Sequence, residues 1–162
     1  MKKVIVALII SGMSLTPQVS ATQPTQSYDK EIECLALNIY FETRAVSLAD
    51  AMAVSDVVLN RVESTKYPNN ICDVVHQGYK KGKRTCQFSW YCDGKADTPR
   101  DITSWNRSRK YARDMYVFGV YRGITEGSTH YHASYVKPYW APTLDRITRI
   151  GSHIFYRMKG TK

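Results

Sequence analysis

Four cysteines place the strongest constraint on how this chain can fold. They lie at positions 34, 72, 86 and 92 of a chain of 162 residues. In an exported domain of this size, four cysteines usually form two disulfides, for which three pairings exist. We favour Cys86–Cys92, which closes a small loop, and Cys34–Cys72, which ties two helices together. The alternative is a zinc site, but the spacing of Cys86 and Cys92 is unusual for zinc ligands.

The first residues of the chain predict a signal peptide. Lys2 and Lys3 form a positive n-region, which is followed by a short apolar run over residues 4–10. Residues 19–21 form a small-residue cleavage site. The apolar run is too short to span a bilayer comfortably. We therefore assign residues 1–21 to a signal peptide, with an uncleaved membrane anchor as the alternative.

The remainder of the chain predicts one exported domain. Residues 22–28 are polar and are expected to form a flexible lead-in, and residues 29–162 are long enough for a domain with its own core. The formal net charge of +9 falls to +7 when the two leader lysines are removed, and twelve tyrosines accompany it. Cationic, aromatic surfaces suit nucleic acids, anionic membranes or the bacterial envelope. Because export argues against nucleic acid, we expect a monomer at the cell wall, periplasmic or extracellular, without stable membrane insertion.

The segment that leads to Glu42 predicts an amphipathic helix whose apolar stripe ends in a carboxylate. Its apolar members recur at helical spacing: Ile32, Leu35, Ala36 and Ile39. Burying a charge is costly, and the exposed carbonyls at a helix end disfavour an anion, so the pKa of this carboxyl is expected to rise. A carboxyl that is protonated at neutral pH can donate a proton to a leaving group. Glu42 is therefore a candidate general acid; a structural carboxylate paired with Arg44 or Arg61 is the alternative.

The order of the predicted elements, helices first and strands late, indicates an α+β fold with a small sheet. Helices are expected over residues 29–44, from Ser47 to just before Tyr67, over 71–77 and over 102–121. Strands are expected over residues 129–135 and 147–158, and residues 86–92 are expected to be extended.

Aromatic side chains in the later segments lie beside polar ones, as a sugar-binding cleft requires. Sugar rings present flat C–H faces and a rim of hydroxyls, so a cleft for them needs aromatic platforms together with amides and hydroxyls. The predicted substrate-binding residues are Gln87, Phe88, Ser89, Trp90, Tyr131, His132, Tyr139 and Trp140. The alternative, that an aromatic side chain is simply a core residue, is stronger for Phe88 than for Tyr139 and Trp140.

Two histidines offer an alternative metal site. His130 and His132 lie on the same face of a strand, and with His153 or His76 they would hold Zn²⁺, as in zinc enzymes that cleave peptidoglycan amides. There is no H-E-x-x-H motif and no G-x-S-x-G elbow. We therefore expect no metal and no cofactor, and we keep a zinc amidase as an alternative.

Seven runs of the chain, in order, resemble the SleB-type cell-wall hydrolases, which include spore cortex-lytic enzymes. They are 35–44, 57–62, 67–75, 86–94, 129–132, 138–141 and 150–156. The resemblance covers roughly residues 31 to 157. It implies a lysozyme-like catalytic domain, mainly helical with a small antiparallel sheet, that acts on peptidoglycan glycan strands. The family's glutamate, in its Tyr-Phe-Glu-Ala-Arg pattern, falls on Glu42.

The resemblance also implies a mechanism with one acid. Members look like lytic transglycosylases, which form a 1,6-anhydro sugar at the bond between N-acetylmuramic acid and N-acetylglucosamine. Two-carboxylate glycosidases need a second acid, for which only proximity to the predicted loops suggests candidates: Asp93, Asp97, Asp101 and Glu126. Besides the zinc amidase, a non-catalytic envelope-binding module remains an alternative.

The chain departs from the family pattern just after the glutamate. Ala45 stands where the family often has glycine, Val46 stands where it has a second acid, and Ala51 stands where it has glutamine. The loop beside Glu42 is therefore expected to be reshaped.

Overall fold

The computed structural model describes residues 24–44, 47–80 and 85–161. The predicted signal peptide and residues 81–84 lie outside the described residues, as do the departures Ala45 and Val46. The third departure, Ala51, is fully buried inside a helix. It therefore belongs to the core and not to a loop beside Glu42. No helix in the described ranges combines the length and apolarity needed to cross a membrane.

Four helices build the larger part of the domain: α1 (Pro24–Thr43), α2 (Leu48–Glu63), α3 (Ile71–Val75) and α4 (Ile102–Phe118). The first begins at Pro24 and not near Asp29, so residues 24–28, which were predicted to be a flexible lead-in, are helical. Proline suits this position because the first turn of a helix has no use for its missing N–H. The fourth ends three residues earlier than predicted, since Gly119 adopts a left-handed conformation with φ 66°.

The two favoured disulfides are present. Cys34–Cys72 ties α1 to α3, and Cys86–Cys92 closes the small loop. Within that loop the chain forms a short 3₁₀-helix over Ser89–Cys92, and not the predicted extended segment. Closing so few residues on themselves requires a turn, and the indole N–H of Trp90 donates to Asn38 Oδ1 over 3.1 Å, which anchors the turn to α1.

Three antiparallel strands complete the fold: β1 (His130–Ala133), β2 (Asp145–Ile150) and β3 (His153–Arg157), in the order β1-β3-β2. The strand predicted over residues 147–158 is a hairpin that turns at Gly151 and Ser152. Gly151 has a φ of 53°, and a side chain there would collide with the carboxylate of Asp50. The mainly helical α+β fold with a small antiparallel sheet is thus confirmed.

The sheet has two distinct faces, because successive side chains of a strand point to opposite sides. Tyr131 pairs in register with Phe155, and both pack toward Ala53 and Val57 of α2. We call this the helix-facing side. The neighbouring positions His130, His132 and Tyr156 lie on the other side, which we call the outer face.

Two hydrogen bonds from α2 set the position of the sheet against the helices. Asn60 Nδ2 donates to the Ser128 carbonyl over 2.9 Å, and Arg61 Nε donates to the Thr129 carbonyl over 2.8 Å. Both acceptors immediately precede β1. The start of the strand is therefore held against the end of α2, which brings Tyr131 toward the end of α1.

Candidate active site

Glu42 lies in the last turn of α1 and is partly buried against the sheet. Its Oε2 accepts a hydrogen bond from the hydroxyl of Tyr131 over 3.0 Å. The arginines considered as structural partners are engaged elsewhere: Arg44 donates to the Tyr40 hydroxyl, and Arg61 to the Thr129 carbonyl. Within the described residues, Glu42 forms no salt bridge. The structure therefore places in the wall of the domain a carboxyl group that has no salt-bridge partner among the described residues.

The surroundings of Glu42 favour its protonated form. Burial raises the pKa of this carboxyl above its ordinary value of 4.5, against the opposing effects of the Tyr131 hydrogen bond and of the charges of His153 and Arg61. Since the Tyr131 hydroxyl donates to Oε2, the proton of the neutral acid belongs on Oε1. An acid with its second oxygen held in this way has a defined direction in which to give up its proton.

Tyr131 is suited to remain a hydrogen-bond donor. Burial is the main cause that raises its pKa well above the ordinary value of 10.0, and the negative charge of Glu42 acts in the same direction. The hydroxyl therefore keeps its proton wherever Glu42 is ionised. This leaves Glu42 as the proton-transferring member of the pair.

A cavity of about 260 Å³ opens beside Glu42. Six residues with polar side chains line it: Glu42, Thr43, Ser47, Asp50, Ser152 and His153. A water molecule occupies about 30 Å³ in the liquid, so this space accommodates several waters or the end of a larger ligand.

Asp50 and His153 form a hydrogen-bonded pair in the wall of that cavity. His153 Nδ1 lies 2.9 Å from Asp50 Oδ1, which also accepts from the backbone N–H and the hydroxyl of Ser152, each over 3.0 Å. Burial opposes the ionisation of Asp50, but these hydrogen bonds outweigh it and lower the pKa of the carboxyl. Asp50 is not among the site residues predicted from the sequence, because nothing local indicates a partner 103 residues away.

The second cavity, of about 480 Å³, lies on the other side of the end of α1. Phe41, Arg44, Ser89 and Trp90 line it, together with a polar segment that continues to Arg100. The indole of Trp90 stacks on Phe41 with ring centroids 4.8 Å apart. Glu42 borders only the smaller of these cavities, together with Ser152 and His153 of the sheet hairpin, whereas its neighbours Phe41 and Arg44 border the larger one, together with the small disulfide loop.

Comparison with known proteins identifies the family to which the chain belongs. Residues 47–156 match the family model described as Cell Wall Hydrolase. The chain belongs to the cell wall hydrolase family. The matched range begins five residues after Glu42, so it includes Asp50, Ser152 and His153 of the smaller cavity but not Glu42 itself. A search of curated proteins finds no match.

The fold of this cell wall hydrolase is similar to two solved structures. The catalytic domain of the Bacillus cereus SleB protein has a TM-score of 0.57 at 21% identity, and covers 89% of this chain and 100% of its own. The catalytic domain of germination-specific lytic transglycosylase SleB from Bacillus anthracis has a TM-score of 0.59 at 24% identity, and covers 88% of this chain and 100% of its own. The resemblance to SleB-type hydrolases is thus confirmed.

The structure separates the predicted substrate-binding residues into groups. Tyr131 contacts Glu42, and Ser89 lines the larger cavity. Gln87 is exposed, and its backbone N–H donates to the Gln77 carbonyl over 2.8 Å. Tyr139 is 93% exposed. These four side chains are therefore placed where a solvent-borne ligand can reach at least part of each.

The other four predicted contact residues lie in the core or on the outer face of the sheet. Phe88 is 2% exposed and Trp90 is 7% exposed, so both are core residues, and only a rim of Trp90 reaches the larger cavity. His132 and Trp140 lie on the outer face of the sheet, opposite Tyr131. Neighbouring residues of a strand point to opposite faces of the sheet, and the prediction from aromatic positions did not take this alternation into account.

The proposed zinc ligands are also dispersed. His130 Nδ1 is hydrogen-bonded to the Thr129 hydroxyl, and His132 is hydrogen-bonded to the Tyr156 hydroxyl through Nε2. His153 is on the helix-facing side, and His76 stacks on Tyr91 near α3. Among the residues that the structure describes, no group of three histidine, cysteine or acidic side chains could hold a metal ion. The zinc amidase alternative therefore has no site in these ranges.

None of the four candidate second acids lines the cavity that Glu42 borders. Asp93 and Asp97 line the larger cavity, and burial followed by the charge of Asp93 raises the pKa of Asp97. Asp101 caps α4 by accepting from the Thr103 and Ser104 amides. These three are therefore a helix cap and two walls of the larger cavity; the fourth candidate, Glu126, is in the loop that precedes β1.

Proposed function

We propose that this protein is an exported enzyme that cleaves the bond between N-acetylmuramic acid and N-acetylglucosamine in peptidoglycan, as a lytic transglycosylase. One observation carries the proposal: the carboxyl group of Glu42, whose pKa is raised by burial, is held by Tyr131 in the wall of a polar cavity. Family membership supports the polymer, and the similar Bacillus anthracis protein is described as a lytic transglycosylase. Export by residues 1–21 is part of the proposal.

The reaction needs one residue that first donates and then accepts a proton. Glu42 gives its proton to the glycosidic oxygen, and the bond from that oxygen to C1 of N-acetylmuramic acid breaks, with its electron pair on the leaving sugar. The C6 hydroxyl oxygen of the same sugar bonds to C1, and its proton passes to the Glu42 carboxylate. The product is a 1,6-anhydro sugar, and Glu42 is ready for another cycle. Because closure is intramolecular, positioning contributes more than a second acid would.

Tyr131 supports this cycle by stabilising charge. As the proton leaves Glu42, negative charge develops on the carboxylate, and the Tyr131 hydroxyl is already hydrogen-bonded to one of its oxygens. A donor that is in place before the reaction stabilises the transition state without reorganisation. Tyr131 is thus a positioning and charge-stabilising residue, and Glu42 is the proton carrier.

The scissile bond is proposed to lie at the smaller cavity, which Glu42 borders. The larger cavity is proposed to hold a more distant part of the glycan strand, since it borders Phe41 and Arg44, next to Glu42 in the chain, and Ser89. In its walls Arg44, Lys95 and Arg100 outnumber Asp93 and Asp97, which leaves a small positive balance of charge. Peptidoglycan carries carboxylates on its peptides, so this balance favours its approach.

The proposal is tested with Glu42→Gln, which keeps an acceptor for Tyr131 but has no proton to donate. We expect release of soluble fragments from purified sacculi to fall by about 10²- to 10⁴-fold. The matched control is Glu33→Gln, on the exposed side of the same helix, where the carboxylate pairs only with Arg109 at 3.6 Å. We expect this control to keep wild-type activity.

Mass analysis of the products identifies the reaction. Anhydro-muropeptides from the wild type support the proposal. Freed peptides would show an amidase, and no product from several types of sacculus would show a binding module. Wild-type cleavage by Glu42→Gln would remove Glu42 from the mechanism.

A further inference from the structure

The proposed reaction assigns no role to the Asp50–His153 pair. Both side chains line the cavity that Glu42 borders, and both are largely buried, each with 12% of its side chain exposed. Asp50 comes from the first turn of α2 and His153 from the first residue of β3. Two elements that are distant in the chain thus place a carboxylate and an imidazole beside the candidate acid.

The hydrogen bonds of Asp50 define how the imidazole is protonated. Oδ1 of Asp50 accepts from the Ser152 amide and from the Ser152 hydroxyl, which marks it as the anion. An anionic oxygen accepts, so Nδ1 of His153 must carry the proton of the 2.9 Å bond between them. In neutral His153 the lone pair is therefore on Nε2, at the other edge of the ring. Among the described residues, none forms a hydrogen bond with Nε2.

The surroundings of His153 connect it to Glu42. The ring meets the Tyr131 ring edge to face, with centroids 5.2 Å apart, and Tyr131 in turn binds Glu42. The positive charge of His153 also acts on the Glu42 carboxyl, whose pKa it lowers. Thr43, Ser47 and Ser152 complete the lining of the cavity. A cavity of this volume, with polar side chains in its wall, has room for a water molecule.

We propose that His153, oriented by Asp50, activates a water molecule in this cavity, so that part of the cleavage ends in hydrolysis and not in ring closure. The inference rests on the proposed function, because the water attacks the sugar cation that Glu42 creates. An imidazole whose Nδ1–H is bound to a carboxylate is held in one orientation and one tautomer. The enzyme then has a second proton-accepting group, which is what inverting glycosidases obtain from a second carboxylate.

The hydrolytic branch balances as follows. Glu42 protonates the glycosidic oxygen, and the bond to C1 breaks with its electron pair on the leaving sugar. The oxygen of the water bonds to C1, and one water proton moves to Nε2 of His153. The imidazolium, whose charge Asp50 offsets, then returns this proton to the Glu42 carboxylate through the shared cavity. The net change is the addition of one water, and the product is a reducing N-acetylmuramic acid end.

The experiment measures the ratio of reducing ends to anhydro ends. These two products differ in mass by one water, so one digest of purified sacculi reports both. We expect the wild type to make both, and His153→Gln, which cannot accept a proton, to lower the share of reducing ends by about tenfold or more while anhydro ends persist. His130→Gln, on the outer face of the sheet, is the matched control and should leave the ratio unchanged.

A second variant separates the chemical role from a structural one. Asp50→Asn keeps an acceptor for the Ser152 amide but removes the charge that offsets the imidazolium. A smaller fall in reducing ends, with anhydro ends retained, is expected. If Asp50 and His153 only clamp the hairpin to α2, both variants lower the melting temperature and leave the ratio as it was, which overturns the inference.

The remaining outcomes distinguish the inference from the proposed function. A wild type that makes anhydro ends alone overturns the inference and leaves the transglycosylase intact. A wild type that makes reducing ends alone, lost in His153→Gln, supports the inference and overturns the transglycosylase.

Discussion

Both faces of the three-stranded sheet carry tyrosine and histidine, but on the helix-facing side these residues form hydrogen bonds with carboxylates. Tyr131 donates to Glu42 over 3.0 Å, and His153 binds Asp50 over 2.9 Å. The carboxylates come from α1 and α2, on which this side packs. Each donor therefore meets a group that can take part in proton transfer.

On the outer face the same residue types are paired with each other. His132 Nδ1 donates to the Ala133 carbonyl, and Nε2 lies 2.9 Å from the Tyr156 hydroxyl. Trp140 packs over both rings, with centroids 5.6 and 5.5 Å away. These hydrogen bonds stabilise the sheet, and neither of them pairs the His132 imidazole with an acid. The comparison teaches that the partner supplied by tertiary packing, and not the residue type, decides which face is chemically competent.

The largest expected effect tests the difference between the two faces with two adjacent residues of β1. Tyr131→Phe removes the donor that stabilises the developing Glu42 carboxylate, and hydrogen bonds to charged groups contribute about 1.5–3 kcal/mol. We therefore expect a loss of about 10- to 100-fold in the rate of cleavage of sacculi. His132→Gln, one residue away on the outer face, should retain the wild-type rate. Equal losses in both variants would contradict the assignment of the faces.

A pH profile sharpens the same comparison. Activity requires the protonated form of Glu42, so the rate should fall as pH rises through a pKa above 4.5, the ordinary value for this carboxyl. Since the Tyr131 hydrogen bond lowers that pKa, Tyr131→Phe should move the falling limb to higher pH. Kinetics of fragment release between pH 4 and 9 test this. A limb at or below the ordinary value, or a shift to lower pH, would count against the role of burial.

The smallest expected effect is on stability. Because burial raises the folded-state pKa of Glu42 above its unfolded value, its contribution to stability is fully present below the unfolded pKa and is lost as pH rises through the folded one. Glu42→Gln should therefore melt at a higher temperature than the wild type at pH 8, and at the same temperature near pH 4. Thermal denaturation at both pH values measures this difference. If the wild type were more stable than Glu42→Gln at pH 8, burial would not raise the pKa of Glu42.

Some features of the site could be predicted because they depend on neighbours in the chain. Glu42 was found from helical periodicity, which needs only the spacing of apolar residues along α1. Ser47 and Asn70 cap their helices by accepting from amides three residues on, over 3.2 and 2.8 Å. Phe88, which was predicted to contact substrate, is a core residue, because an aromatic residue in a short loop fits a core as well as a surface.

The sequence by itself therefore determined the helices, the late strands, the family resemblance and the position of one acid on an apolar stripe. Only the tertiary structure decided that Tyr131 reaches Glu42 while His132 does not, and that Asp50 meets His153. The physical reason is that periodicity and capping act within a few residues, whereas a hydrogen bond between residues 89 or 103 positions apart depends on how α1, α2 and the sheet pack. Those contacts form only when the whole core has assembled around them.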